Sequence, residues 1–156
     1  MIKEDLTDFL QDNKKLVIMG IGNDIRGDDG VGPYIVENIK DLASSKVSII
    51  NATTAPENFT GKIRKLDPTH ILIIDAVIMN EGPGKIKLVK KEEVAGVSIS
   101  THSMSLSYLV NYLEIEKPYN ILFIGVEPES MELGDGLSPL VKSSCDKIIG
   151  ILKEIL

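Results

Sequence analysis

The chain has 156 residues, of which 43% are hydrophobic and 26% are charged, and its formal net charge is −6. This length suits one domain with its own core, and this composition excludes a disordered chain. The acidic balance leaves no basic surface for a phosphate backbone, so nucleic acid is excluded as a partner.

The N-terminal segment, residues 1–14, alternates acidic and apolar residues and has no continuous apolar core or cleavage site of small residues. It therefore lacks the features of a signal peptide or a membrane span. Leu6, Phe9 and Leu10 share one helical face, which predicts a helical extension covering part of the fold. With Cys145 as the single cysteine, no internal disulfide can form. We expect a cytoplasmic monomer, not inserted in a membrane, with residues 1–156 in a single domain.

Short apolar runs along the chain are typical of buried parallel strands. They start at Leu16, Val47, Ile71 and Ile121. A further run from Gly84 follows a turn-like NEGPG and predicts another strand, either antiparallel or at the edge of the sheet, where its lysines would be exposed.

Segments between and after these runs have apolar residues at helical spacing. They cover residues 35–42, 59–66, 106–113 and 141–156. Pro33, Pro56 and Pro139 stand where a first helical turn tolerates proline, and Ser138 is a candidate helix cap. The alternation predicts an α/β fold: one three-layer domain with a twisted, mostly parallel sheet of about five strands and helices on both faces.

Polar residues that could take part in catalysis or metal binding lie at or after the ends of the predicted strands. Asp28 and Asp29 lie between the first strand and its helix, Asp75 ends the third strand, and His102 directly precedes the helix that starts near Leu106. Ligands of open α/β sheets bind beyond the carboxyl ends of the strands. We therefore expect these side chains to converge at one rim of the sheet.

The stretch GIGNDIRGDDGVGP, residues 20–33, resembles a nucleotide-binding turn only superficially. The third small residue of a dinucleotide fingerprint is replaced by Ile25. No lysine followed by a hydroxyl residue marks a P-loop, and two carboxylates would repel a phosphate. The glycines are better explained as permitting a tight turn that holds carboxylates at the helix entrance.

Asp29, Asp75 and His102 together form an oxygen and nitrogen donor set that suits nickel, manganese, cobalt or iron. Each also has a structural interpretation. An acid of the Asp28 and Asp29 pair can interact with the helix dipole, Asp75 can cap a helix, and His102 can accept a backbone hydrogen bond.

Other candidates are interpreted as structural. His70 precedes its strand and so belongs at the opposite edge of the sheet, and Cys145 lies on an apolar helical face. Glu127 and Glu129 follow the last strand near the rim. They could shape a substrate groove, but solvated acids are the interpretation that we favour.

Several blocks occur in order between Lys15 and Pro128: GIGNDIRGDDGVGP, APEN, LDPTHILIIDA with a following GPG, STHSMSLSYL and FIGVEP. In this combination the chain resembles the [NiFe]-hydrogenase maturation endopeptidases. The resemblance implies a cytoplasmic enzyme that removes a C-terminal extension from the precursor of the hydrogenase large subunit once its nickel–iron centre is assembled.

The resemblance also implies roles for single residues. The positions that contact metal in the family are Asp29, Asp75 and His102 here, and the nickel is supplied by the precursor. Asp28 would support them or act as a base. Near His102 the chain departs from close relatives in carrying Ser100, Ser103 and Ser105, so we expect its substrate pocket to differ in detail from theirs.

Two other functions stay open on the sequence. A non-catalytic nickel-binding maturation chaperone could use the same three ligands and leave the precursor uncut. A receiver-like phosphoacceptor domain would bind magnesium and accept phosphate on Asp75, but it needs a lysine after the last strand, where this chain has FIGVEPE.

Overall fold

The computed structural model describes residues 1–96 and 105–156. The helices and strands alternate along most of the chain, as an α/β fold requires. They are α1 (Ile2–Leu10), β1 (Leu16–Ile21), α2 (Val31–Asn38), β2 (Val47–Thr53), α3 (Thr60–Leu66), β3 (His70–Ala76), β4 (Ile86–Lys90), α4 (Leu106–Leu113), β5 (Asn120–Val126) and α5 (Pro139–Ile155).

The five strands form one sheet in the order β2-β1-β3-β5-β4. The pairs β1–β2, β1–β3 and β3–β5 are parallel, and β4 runs antiparallel to β5 at the edge. The predicted fold class is therefore confirmed, including the antiparallel edge strand. That strand is shorter than the lysine-rich run, since residues 91–96 form a 3-10 helix.

Both faces of the sheet are covered, because successive side chains of a strand point to opposite sides. In β1, Leu16 and Ile18 join the core formed with α1, α2 and α5, whereas Val17 and Met19 join the core formed with α3 and α4. Every residue of β1 and of β3 is buried. Because these strands are apolar on both faces, helices cover the sheet on both sides, and the fold has three layers.

The N-terminal helix α1 belongs to the face that carries α2 and α5. Leu6 and Leu10 are buried in the core of that face, and Lys3 forms an ion pair with Glu154 of α5 at 2.6 Å. No helix in the described parts of the chain is long and apolar enough to cross a membrane.

The carboxyl ends of the parallel strands meet at one rim, and Gly32 lets α2 start close to it. A Cβ atom at this position would fall 2.3 Å from the carbonyl oxygen of Ile21 and 2.8 Å from that of Ile74. The turn before α2 is therefore held against the ends of both β1 and β3, the two strands that precede the predicted site residues.

Candidate functional site

Asp29 lies in the 3-10 turn Gly27–Gly30 that connects β1 to α2. Its side chain is fully buried. The Oδ2 atom accepts a hydrogen bond from the backbone N–H of Asn23 at 3.1 Å. The loop after β1 thus turns back on itself and fixes this carboxylate at the rim.

Asp75 is the second-last residue of β3 and is only 1% exposed. Burial raises the pKa of its carboxyl group well above the ordinary 3.8, and the negative charge of Asp29 raises it further. The backbone N–H of Ala76 acts in the opposite direction and lowers the pKa of Asp75, but it does not form a hydrogen bond with the carboxylate. Within the part of the chain that the structure describes, neither carboxylate oxygen of Asp75 receives a hydrogen bond.

Two buried carboxylates in mutual electrostatic contact are unfavourable unless a proton or a cation compensates them. The donor set therefore suits a divalent cation that approaches from outside the fold. Among residues 1–96 and 105–156, no group of three or more His, Cys, Asp and Glu could hold a metal ion. His102, the predicted third ligand, lies outside the described residues, so the complete ligand set stays a prediction.

Asp28, the neighbour of Asp29, has a different environment from the one that a base requires. Its carboxylate accepts hydrogen bonds from the backbone N–H groups of Glu129 at 2.8 Å, Ser130 at 3.0 Å and Ser138 at 2.7 Å, and from the Ser138 hydroxyl at 2.7 Å. Burial raises the pKa of Asp28, but these bonds outweigh it and leave the pKa lowered. A carboxylate saturated with donors is a weak base, so Asp28 has a structural role.

Ser138 was predicted as a cap for the last helix, and it does occupy the N-cap position of α5. Its hydroxyl, however, donates to Asp28 rather than accepting a bond from the first turn of the helix.

Glu127 differs from the solvated acid that the sequence favoured. It is 6% exposed, and its two carboxylate oxygens accept hydrogen bonds from four consecutive backbone N–H groups, those of residues 79–82, at 2.8 to 3.1 Å. These donors offset the cost of burying the charge. Glu129, by contrast, is exposed.

The residues interpreted as structural are found away from the rim. His70 starts β3, with its ring 5.1 Å from that of Phe9 and its Nδ1 2.9 Å from Thr69 Oγ1. Cys145 is fully buried in α5, and burial raises the pKa of its thiol to about 12. A neutral, inaccessible thiol cannot serve as a nucleophile.

A cleft of about 300 Å³ lies on the β2 side of the rim, next to the loop in which the Asn23 N–H binds the Asp29 carboxylate. Its lining includes Asn23, Asn51 and Thr53, and it shares Pro33 with a neighbouring cleft of about 390 Å³ against α2. Thr53 has a φ of 50°, an uncommon conformation for a β-branched residue. The rim is therefore concave on the side of β2, where the loop after β1 and the end of β2 contribute amide and hydroxyl groups.

Comparisons with known proteins point to one family. The family model described as hydrogenase maturation protease matches residues 33–155. A putative hydrogenase maturation protease of Methanocaldococcus jannaschii is 40% identical, over 99% of this chain and 96% of that protein. The hydrogenase 3 maturation protease of Escherichia coli is 35% identical over 72% of each chain.

Solved structures agree with the sequence relatives. The [NiFe] hydrogenase maturation protease HycI of Thermococcus kodakarensis superposes with a TM-score of 0.89 at 31% identity, covering 97% of this chain and 98% of that one. The maturating endopeptidase HybD of Escherichia coli superposes with a TM-score of 0.73 at 27% identity, covering 90% and 93%. The chain is therefore a peptidase and belongs to the hydrogenase maturation protease family.

Proposed function

We propose that this peptidase removes the C-terminal extension of a [NiFe]-hydrogenase large-subunit precursor after nickel has been inserted, and that it recognises the nickel itself. The observation that carries the proposal is Asp75, a buried carboxylate next to Asp29 to which no described residue donates a hydrogen bond. Such a group is costly in the isolated protein. A cation carried by the substrate would compensate it in the complex.

In this proposal the nickel ion is part of the substrate. Asp29 and Asp75 would contact it from the rim, and His102 would supply the third protein ligand. Three contacts to an ion bound at a fixed position in the precursor would fix the scissile bond relative to the enzyme. A nickel-free precursor lacks this anchor, so cleavage would report that the metal centre has been loaded.

The chemical step is the addition of water across one peptide bond. The carbonyl carbon gains a hydroxyl group, the C–N bond breaks, and the leaving nitrogen gains a proton. A divalent ion at the rim supplies Lewis acidity. Within the described residues Cys145 is too buried and too weakly acidic to attack the carbonyl, which favours direct attack by water over a covalent intermediate.

The two clefts on the β2 side of the rim would accommodate the chain of the precursor that flanks the scissile bond. The smaller cleft combines side-chain amides and hydroxyls, such as those of Asn51 and Thr53, with the apolar side chains of Ile25 and Pro33. Such groups hydrogen-bond a peptide backbone without demanding one sequence. The nickel anchor would then provide the main selectivity.

The test is to incubate the purified protein with nickel-loaded and nickel-free precursor and to follow the mass of each precursor. We expect loss of the C-terminal extension only from the loaded form. Equal cleavage of both forms would refute recognition through nickel. Tight binding of the loaded precursor without any cleavage would instead identify a nickel-binding chaperone.

A further inference from the structure

The turn that carries Asp29 and the loop that follows Asp75 are both attached to the same stretch of chain, the β5–α5 loop of residues 127–138. The turn containing Asp29 is attached through Asp28, and the loop after Asp75 is attached through Glu127. These two carboxylates are buried, and each accepts four hydrogen bonds.

The attachment of the Asp29 turn is extensive. Besides the four bonds to the Asp28 carboxylate, the backbone N–H of Asp28 donates to the carbonyl of Ser130 at 2.8 Å, and that of Gly27 donates to the carbonyl of Asp135 at 2.9 Å. Gly27 has a φ of 55°, and a Cβ atom there would fall 2.6 Å from the Ser130 carbonyl oxygen. Asp28, the residue directly before Asp29, is thus held through both its main chain and its side chain.

The attachment of the loop after Asp75 follows the same plan. The N–H of Val77 donates to the carbonyl of Val126 at 2.9 Å, and the N–H of Gly84 donates to that of Glu127 at 2.8 Å. Between these points the Glu127 side chain binds the amides of residues 79–82. The chain that leaves Asp75 is therefore tied to the end of β5 almost residue by residue.

We propose that Asp28 and Glu127 are positioning residues that together fix the separation of the Asp29 and Asp75 carboxylates. The anchor points Glu127 and Ser130 are only three residues apart, so the two attached loops cannot shift independently. The inference rests on the proposed function, because the separation matters only if both acids engage one substrate-borne ion. Neither residue needs to touch the substrate to have this effect.

Charge explains why carboxylates stand at both positions. An ionised carboxylate has acceptor capacity for four donors, whereas a neutral amide of the same shape presents its own N–H groups to the backbone donors. Asp28→Asn and Glu127→Gln should therefore release part of each attachment while they preserve side-chain volume. Ser138→Ala is a milder change, because it removes one donor to Asp28 and keeps the backbone N–H.

The test measures single-turnover cleavage of nickel-loaded precursor under excess enzyme, below the melting temperature of every variant. We expect Asp28→Asn and Glu127→Gln to lower the cleavage rate constant about 10- to 100-fold, as is typical when groups supporting a metal site are removed. Ser138→Ala should show a smaller loss, and Ser138→Thr, which keeps the hydroxyl, should restore most of the rate. Glu129→Gln and Glu132→Gln, exposed acids of the β5–α5 loop that line neither cleft, should match the wild type.

A control separates positioning from general destabilisation. Leu152→Ala creates a cavity in the part of α5 remote from its rim end and should lower the melting temperature while leaving the rate constant unchanged. Wild-type rate constants for folded Asp28→Asn, Glu127→Gln and Ser138→Ala would overturn the inference. Failure of the wild-type protein to cut the loaded precursor would instead refute the proposed function.

Discussion

Asp75 is buried at the end of β3, where burial raises the pKa of its carboxyl group and the charge of Asp29, from the turn after β1, raises it further. Strands β1 and β3 are neighbours in the sheet, so residues 46 positions apart in sequence meet at one rim. Burial of a carboxyl group beside another acid is unfavourable for stability unless a proton or a cation compensates it.

The pH dependence of stability should report on Asp75. A carboxyl group whose pKa is raised on folding contributes stability at low pH that is lost as the pH rises from its unfolded value, near 3.8, through its folded value. Asp75→Asn removes this proton linkage. In urea unfolding of the metal-free protein between pH 4.5 and 8, the wild type should lose stability relative to Asp75→Asn as the pH rises. Parallel pH profiles for the two proteins would contradict this electrostatic account.

Asp28 and Glu127 should show the opposite linkage. Their hydrogen bonds outweigh burial and lower both pKa values, so their contribution is present above the ordinary values and lost as the pH falls through the folded values. We expect Asp28→Asn to cost about 2–3 kcal/mol of unfolding free energy at pH 7. The difference from wild type should shrink at pH 3, and a difference that stays constant with pH would show that ionisation of Asp28 is not involved.

The close approach of α2 to the sheet predicts a strict requirement for glycine. In Gly32→Ala the new methyl group would collide with the carbonyl oxygens of Ile21 and Ile74. We expect a loss of at least about 3 kcal/mol or failure to fold, measured by thermal unfolding and circular dichroism. Gly150→Ala in α5 meets nothing within 4 Å and should instead stabilise the protein by about 0.5–1 kcal/mol. Similar stabilities for the two variants would contradict the packing described.

Substitutions of the two histidines should have different effects on cleavage of the precursor. His102→Gln removes the proposed third contact to the substrate-borne nickel and should abolish cleavage of loaded precursor. His70→Gln changes a buried ring beside Phe9 at the opposite end of β3. It should cost about 1–3 kcal/mol of stability and retain cleavage below its melting temperature. Full activity of His102→Gln, checked by precursor mass, would remove that residue from the site.

The parts of this fold that follow local rules could be predicted from the sequence. The buried strands are continuous apolar runs, and Asp29 and Asp75 could be singled out because they follow such runs. The same signal, an acid directly after a buried strand, also marks Glu127. Its burial could not be predicted, because its donors come from residues 79–82, and that contact depends on β3 and β5 being neighbours.

The role of Ser138 escaped prediction for a related reason. A serine before a proline at the start of a helix is a regular capping signal. Its actual partner, Asp28, lies 110 residues earlier in the chain. Local sequence carries no information on such a contact. The contact forms because the loop after β1 packs against the loop after β5.

The most direct test of the central claim is the affinity of nickel-loaded and nickel-free precursor for the wild type, Asp75→Asn and Asp41→Asn, measured by isothermal titration calorimetry before cleavage proceeds. Asp41 is an exposed acid that lines neither cleft. The wild type and Asp41→Asn should bind the loaded form at least about 100-fold more tightly than the nickel-free form, and Asp75→Asn should lose that difference. Equal preference for the loaded form in Asp75→Asn and the wild type would show that Asp75 does not engage the nickel ion.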